Sequence, residues 1–523
     1  MKIVIVSIGG TPLAYGNVYN GSPRFSNFVA EHLCGYLRKN DNSIIDILYF
    51  QETDNILEIY KILNNYEIIF FALDFVNFNI AKKYIKKFKK KQIITILFGH
   101  LVSSYYIEII NEIKPNYIIL GDPEEPSLRL LKSIKKNQNI FNDQNIVTLN
   151  DFNSKSKNIC LDLDNYPCFD YYKNNSFEEN QNKTHCISLK NQVCMCNCSF
   201  CWSNKGKYKY KKVKNILDEM NYVAIEYGIK DFYFTDNDIL DYRNESEFNI
   251  IDELFTGIID LKLNISIFVF AKSRNINEKN IPLLKKMKQA GVYCIFIGID
   301  SGNNEDLKLY RKSSNLDNAY NAIRIFKKLG IWYRIGLIGV NPYSTLNRLK
   351  ENYVFLTNIR STNYYNYGGM KVMIFKNTPL YFKVLEDNLL LEKNYNFKSF
   401  YSYTFKNKEI IPYVKFIQDI LLSKIEYKNF IPYFALRKNY EKTKVVSKIN
   451  EDKIIEDIEN KLFDVINNYF KILFIDNNLK QAKKQMDNFI NNLLDINKNN
   501  RDLMKKYNEI YSLTKVKREW NKW

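Results

Sequence analysis

Two series of short apolar runs, each run separated from the next by an amphipathic stretch, narrow the folds open to this chain more than any other feature. Residues 1–150 hold the first series, with strand candidates Lys2–Ser7, Ile44–Phe50, Glu67–Leu73, Gln92–Phe98, Tyr117–Leu120 and Ile146–Leu149. Helical patterns such as Asn27–Arg38 and Ile80–Lys89 lie between them. Strands that alternate with helices form a parallel sheet whose two faces the helices cover, so the segment is expected to be an α/β, doubly wound, Rossmann-like domain. Ligands of such sheets bind outside the carboxyl ends of the strands. Those ends carry Gly9-Gly10-Thr11, Asp74, Gly99-His100 and Gly121-Asp122, small or polar residues that let a ligand approach.

In residues 151–183 the periodicity fails and Asn, Asp, Ser and Lys dominate, the signature of a linker. A second alternating series fills residues 184–385, with strands expected at Cys186–Leu189, Phe232–Thr235, Ser266–Phe270, Cys294–Ile299, Tyr333–Ile338 and Lys371–Phe375. Its helices carry core spacing; Val213, Ile216, Leu217 and Met220 recur at i, i+3, i+4 and i+7. Six such repeats suit an open barrel better than a flat sheet. Residues 386–523 read as a helical, aromatic, Lys/Asn-rich region, and no fixed-period repeat points to a solenoid.

No apolar run approaches the roughly 20 residues needed to span a bilayer, so no membrane partner is expected. Met1 to Val6 runs straight into a strand pattern without the regions of a signal peptide, from which a cytoplasmic location is expected. The net charge of +19 fits two readings, a general enrichment in Lys, Asn, Ile and Tyr or an anionic partner such as RNA or an acidic peptide.

Nine cysteines are few for 523 residues, and four fall between Cys194 and Cys201, which opposes a disulfide framework and favours a metal site. The run reads Cys-Met-Cys-Asn-Cys-Ser-Phe-Cys. Cys194, Cys198 and Cys201 give C-x3-C-x2-C shortly after a strand, and three thiolates on one loop can ligate three irons of a [4Fe-4S] cube while leaving the fourth open. A structural zinc site would want a second Cys pair or a His cluster, and neither follows. Cys196 is read as a passenger in the loop.

With aromatic Phe200 before its last Cys, this loop resembles the signature of the radical S-adenosylmethionine (SAM) superfamily, and later features match in order. Phe232 to Asn237 resembles the second-strand motif whose polar end, here Asp236, approaches the SAM amino group. Lys272 and Arg274 follow the third strand, where the family often places a base near the SAM carboxylate. Gly298-Ile299-Asp300-Ser301-Gly302 is similar to Gly-Ile-Glu-Ser-Gly, with Asp300 shorter than the usual Glu. Ile338 to Pro342 departs from the pattern after strand five, and Asn377 to Tyr381 resembles the Gly-Thr-Pro-Leu-Tyr close of strand six. The resemblance implies a partial (β/α)6 barrel with Phe200, Asp236, Lys272, Arg274, Asp300 and Ser301 around SAM.

Residues 1–150 resemble the cobalamin-binding domain attached to many members of that superfamily, on the strength of Phe70 to Ile80, similar to a strand ending in Ser-x-x-x-Trp-Asn-Ile. The implied cobalamin contacts are Gly9, Gly10, Thr11, Asp74, Asn79, Gly99, His100, Gly121 and Glu124. The Asp-x-His-x-x-Gly signature of an axial His is absent, since His32 precedes Leu33, Cys34 and Gly35; family members without it bind cobalamin with no protein His ligand.

Together the resemblances imply a methyltransferase acting on an unactivated carbon of a peptide or natural-product small molecule through a 5′-deoxyadenosyl radical, with [4Fe-4S], SAM and cobalamin as cofactors and flavodoxin or ferredoxin as electron donor. A non-methylating rearrangement or cyclisation is the alternative within the family. A methylthiotransferase is disfavoured because residues 1–150 hold only Cys34, and an auxiliary-cluster enzyme because no Cys follows Cys294. A nucleic-acid-binding protein with a structural cluster is the alternative from another class, and the lack of any recognised RNA-binding motif argues against it.

Overall fold

The computed structural model describes residues 1–9, 25–51, 55–73, 78–88, 92–138, 140, 143–151, 164, 184–191, 193–201, 203–392, 401–427, 433–447 and 449–513. The chain divides into two compact units, Met1–Asn180 with Tyr210–Asn215 and Asn394–Phe400, and Gln181–Lys209 with Ile216–Lys393 and Tyr401–Trp523.

In the first unit the elements run β1 (Lys2–Gly9), α1 (Phe25–Asn40), β2 (Ile44–Gln51), α2 (Ile56–Leu63), β3 (Ile68–Ala72), α3 (Phe78–Phe88), β4 (Ile94–Phe98), α4 (His100–Ile113), β5 (Tyr117–Ile119), α5 (Glu124–Lys135) and β6 (Ile146–Val147). All five residues of β3 are buried, as a strand must be when helices cover both faces of its sheet. The strand order β2-β1-β3-β4-β5-β6 reverses direction between β1 and β3, the switch point at which doubly wound sheets open a ligand crevice. Pairing is parallel through β5, and β6 is antiparallel. The expected all-parallel sheet is corrected at that edge: β6 follows α5 by a return in which Leu120 N–H donates to Asn145 O at 2.8 Å, so the chain reverses beside β5 without a crossover. Ile3, Ile5, Phe70, Phe98 and Ile119 form a core with Leu33 and Leu37 of α1 and Leu130 and Leu131 of α5.

The second unit holds β7 (Thr184–Ile187), a short ribbon of β8 (Val193–Cys194) and β9 (Asn204–Lys205), α6 (Val213–Tyr227), β10 (Asp231–Phe234), α7 (Glu245–Asp260), β11 (Ser266–Lys272), α8 (Ile281–Gln289), β12 (Val292–Asp300), α9 (Asn304–Leu309), α10 (Leu316–Leu329), β13 (Trp332–Leu337), α11 (Leu346–Asn358) and α12 (Pro379–Glu386). Its main sheet is parallel and five-stranded, in the order β13-β12-β11-β10-β7. The expected sixth strand, Lys371–Phe375, is reduced to isolated bridges, Val340 with Lys371 and Ile374 with Tyr401. Gly339 and Val340 N–H both donate to Met370 O, at 2.9 and 3.1 Å. Two donors on one acceptor break the one-to-one ladder, so pairing beside β13 stops after a single register.

One face of this sheet is aromatic. Tyr233 stacks on Phe268 with centroids 5.0 Å apart, and Phe270 meets Tyr233 and Phe296 edge-on at 5.5 and 5.4 Å. Three long helices, Tyr433–Ser447, Asp452–Phe474 and Leu479–Leu513, complete the unit. The first packs against β11 and β12. Among the described residues no helix is long and apolar enough to cross a membrane.

Candidate active site

In the second unit the residues singled out from the sequence gather at the carboxyl end of the sheet, because each follows a strand directly. The cysteine loop leaves β7 and is tied down along its length. Asp236, just past β10, accepts Leu189 N–H at 2.9 Å and Lys190 N–H at 2.8 Å, and Asn237 Nδ2 donates to Val193 O at 3.2 Å. At the far end of the loop Ser199 Oγ donates to Leu309 O at 2.6 Å, Ser199 N–H to Tyr310 O at 2.8 Å, and Leu380 N–H to Ser199 O at 2.8 Å. Phe200 packs edge-on against Tyr310 at 5.2 Å. The fully buried Asp236 is therefore a brace for the loop, and burial raises its carboxyl against the pull of Lys190 and the two amides.

None of the four cysteines forms a disulfide. Cys194 and Cys196 hydrogen-bond each other, which raises Cys194 and lowers Cys196, and Cys196 Sγ lies 3.5 Å from Ser313 Oγ. Burial raises Cys198, with Lys312 opposing it. Among the described residues no three His, Cys, Asp or Glu side chains converge as a metal-holding group. The assignment of Cys194, Cys198 and Cys201 to one cluster thus rests on their spacing and surroundings. Lys272 opposes the hydrogen bond and burial that raise Cys194, and Lys312 opposes the burial that raises Cys198, so positive charge is present at the loop to favour ligation by thiolates.

Lys272 and Arg274 are engaged with acidic partners that sequence reasoning missed. Lys272 Nζ lies 2.7 Å from Asp241 Oδ2 and 3.7 Å from Asp238 Oδ2, while Arg274 Nη2 lies 3.5 Å from Asp241 Oδ1. Burial works against the Lys272 charge, and the two carboxylates outweigh it, holding the ammonium above the ordinary lysine range. Beneath them Lys190 is 2% exposed and donates to Asp238 O at 2.9 Å and Asp241 O at 2.7 Å, with its Nζ 4.7 Å from the Tyr208 ring centroid. Tyr208 closes the set, its hydroxyl donating to Asp241 Oδ2 at 2.7 Å. Three aspartates at 236, 238 and 241 after an apolar strand were the available signal; Lys190 had none.

Asp300 ends β12 at φ 70°, where the register with β13 shifts. Asp is among the few residues other than Gly that tolerate this left-handed conformation. Ser301 is wholly buried and does not line an open surface: its Oγ donates to Asn352 Oδ1 at 3.1 Å and accepts Asn303 Nδ2 at 3.0 Å. Asp306 extends the set, receiving Asn341 Nδ2 at 2.9 Å and Arg348 Nη1 at 3.1 Å.

In the first unit, Gly10, Thr11 and Asp74 lie outside the described residues, as do the side chains of Asn79 and His100. Gly9 ends β1. Gly99 and Gly121 meet through Ser103, whose hydroxyl donates to Gly99 O at 3.2 Å and accepts Gly121 N–H at 2.9 Å. Gly99 sits at φ 116°, and a Cβ there would lie 2.6 Å from Leu73 O, so only glycine fits. Beyond β5, burial with the nearby Asp122 raises the Glu124 carboxyl to about 8. Among the described residues, Glu124 Oε2 and Ser127 Oγ are buried polar atoms without a hydrogen-bond partner. Orphaned polar atoms beside the Gly99–Ser103–Gly121 junction fit a polar ligand at this strand end.

Residues 190–355 match the family described as the Radical SAM superfamily. Residues 190–355 form a radical SAM domain. The 4′-phospho-dehydrooxetanocin synthase of Priestia megaterium is 25% identical over 428 residues, 74% of this chain and 56% of that protein. An uncharacterized methyltransferase of Pyrococcus horikoshii is 24% identical over 148 residues, 28% of this chain and 30% of its own. The chain thus spans about half the length of the synthase and under a third of the methyltransferase. Among solved structures, the cobalamin-dependent S-adenosylmethionine radical enzyme OxsB with aqua-cobalamin bound has the same fold, with a TM-score of 0.70 at 16% identity over 97% of this chain and 80% of that one. The radical S-adenosylmethionine methyltransferase TsrM from Kitasatospora setae superposes with a TM-score of 0.54 at 14% identity, over 74% of this chain and 78% of its own.

Proposed function

We propose that this protein is a cobalamin-dependent radical SAM enzyme that methylates an unactivated carbon of a peptide or natural-product small molecule. The observation that carries the reading is the cysteine loop, pinned at one end to Asp236 just past β10 and at the other to Leu309 at the end of α9, in a chain that shares 97% of its length with the OxsB fold. When bound, the cluster supplies the electron that splits the sulfonium of SAM to give a 5′-deoxyadenosyl radical, and cobalamin carries the methyl group.

This chain's own residues hold and orient. Cys194, Cys198 and Cys201 are assigned to the cluster, and Phe200 with Ser199 keeps their loop on Tyr310. Lys272, Arg274 and Asp300 present charge at the strand ends to the SAM amino and carboxylate groups, while Asp236 and Ser301 shape the loops that carry them. Gly99, Gly121 and Glu124, with Gly9, Gly10, Thr11, Asp74, Asn79 and His100, are assigned to cobalamin. A carboxyl held neutral near pH 7, as at Glu124, donates a hydrogen bond to a neutral acceptor such as an amide oxygen. Flavodoxin or ferredoxin is the proposed electron donor.

A non-methylating ring closure or rearrangement is the second reading, favoured by one observation: the sequence alignment to a synthase covers 74% of the chain, whereas that to the Pyrococcus horikoshii methyltransferase covers 28%. SAM labelled on its methyl carbon separates the two. Under reducing conditions with cobalamin, methylation predicts label on the corrinoid and then on substrate. Formation of 5′-deoxyadenosine with all label retained in methionine would favour the second reading.

A further inference from the structure

The turn after α9 brings in a charged residue that the strand motifs leave unused. Arg311, at φ 52°, reverses the chain beyond Tyr310, so that Leu309 and Tyr310 hold Ser199 while Ser313 reaches Cys196. Between these contacts stands Lys312, whose side chain is only 8% exposed. Its Nζ lies 2.5 Å from Asp300 Oδ2 and 3.4 Å from Gly298 O. A buried ion is stable only beside its counter-ion, so each side chain fixes the other. Lys272, the other ammonium that acts on the thiols, is already divided between Asp238 and Asp241. Among the described residues Lys312 pairs with the carboxylate of Asp300, and its chain neighbour Ser313 lies 3.5 Å from Cys196 Sγ, which sets the ion pair beside the cysteine loop.

We propose that Lys312 is a positioning residue of the cluster site: it clamps the shortened acid of the fourth-strand motif, Asp300, and sets a permanent positive charge against the cysteine loop. The inference rests on the reading that Cys194, Cys198 and Cys201 hold a [4Fe-4S] group. A fixed cation stabilises the more negative, reduced form of such a group. The ion pair sits directly over Gly298, where a Cβ would lie in ordinary contact with the Asp300 carboxylate at 3.8 Å and Lys312 Nζ at 3.9 Å.

The test uses full-length protein with its iron and sulfide reconstituted, comparing wild type, Lys312→Met and Lys312→Arg by iron content and by a potentiometric titration followed by electron paramagnetic resonance. Lys312→Met is expected to keep its iron while the reduced fraction at a fixed potential falls on the order of tenfold. For a one-electron couple that is a midpoint about 59 mV more negative. Lys312→Arg, which keeps the charge, is expected to titrate like wild type. If Met loses its cluster and Arg retains it, the charge is again the operative property. A midpoint unchanged in Lys312→Met, or cluster loss in both variants, overturns the assignment and leaves Lys312 a packing residue. A wild-type protein that takes up no iron overturns the cluster reading and the Lys312 assignment with it.

Discussion

Replacing Asp236 by alanine tests how the site is built. The side chain is 2% exposed and accepts two backbone N–H groups, at 2.9 and 2.8 Å, from residues that lead straight into the cysteine loop. Each hydrogen bond to a buried carboxylate contributes about 1.5–3 kcal/mol, so losing both removes about 3–6 kcal/mol, with Leu189 and Lys190 N–H left unpaired. Against a typical stability of about 5–15 kcal/mol, this lowers the melting temperature by on the order of 5–10 °C. The resemblance alone assigns Asp236 to SAM and predicts that its loss spares iron. The brace geometry predicts instead that Asp236→Ala loses iron and SAM affinity together, while Asp236→Asn, whose amide oxygen can still accept, keeps part of both. Thermal melting, iron analysis and calorimetric SAM binding on the three proteins decide it. An Asp236→Ala protein that melts with wild type and holds its full iron would refute the reasoning.

Three further outcomes are expected. Cys194→Ala, Cys198→Ala and Cys201→Ala should each abolish the absorbance of the reconstituted cluster, whereas Cys196→Ala should retain most of it; equal loss in Cys196→Ala would move the ligand assignment. Gly99→Ala should destabilise the first unit by about 2–4 kcal/mol, combining left-handed strain with a Cβ 2.6 Å from Leu73 O, and denaturant melts that match wild type would contradict it. Glu124 has its carboxyl raised from 4.5 to about 8 in the folded chain. Its contribution is therefore fully present below about pH 4.5 and is lost as pH rises through about 8, so the melting temperature of wild type should fall between those limits relative to Glu124→Gln; parallel curves would sink the idea.

The frame of both sheets was legible because apolar runs bounded by polar loops report burial directly. Phe25–Asn40 and Phe78–Phe88 fall where the helical spacing put helices. Lys371–Phe375 had the same apolar texture as a strand, but its pairing depends on the backbone of Gly339 and Val340, which no side-chain pattern encodes. The cysteine spacing and the residues just past each strand were readable for the same local reason. Lys190, Tyr208 and Lys312 were not, since a lysine in a Lys-rich chain looks solvated until the fold sets carboxylates or carbonyls around it. Nor does the sequence distinguish an acid that faces a ligand from one that ties a loop, as at Asp236.

The central claim, a radical SAM domain working with a corrinoid, is tested most directly by the absorption spectrum of full-length protein purified anaerobically after exposure to hydroxocobalamin and desalted. With no Asp-x-His-x-x-Gly motif to supply an axial imidazole, the account predicts about one corrin retained per chain, with a base-off spectrum. A desalted protein that carries its iron–sulfur absorbance but no corrin band would contradict it.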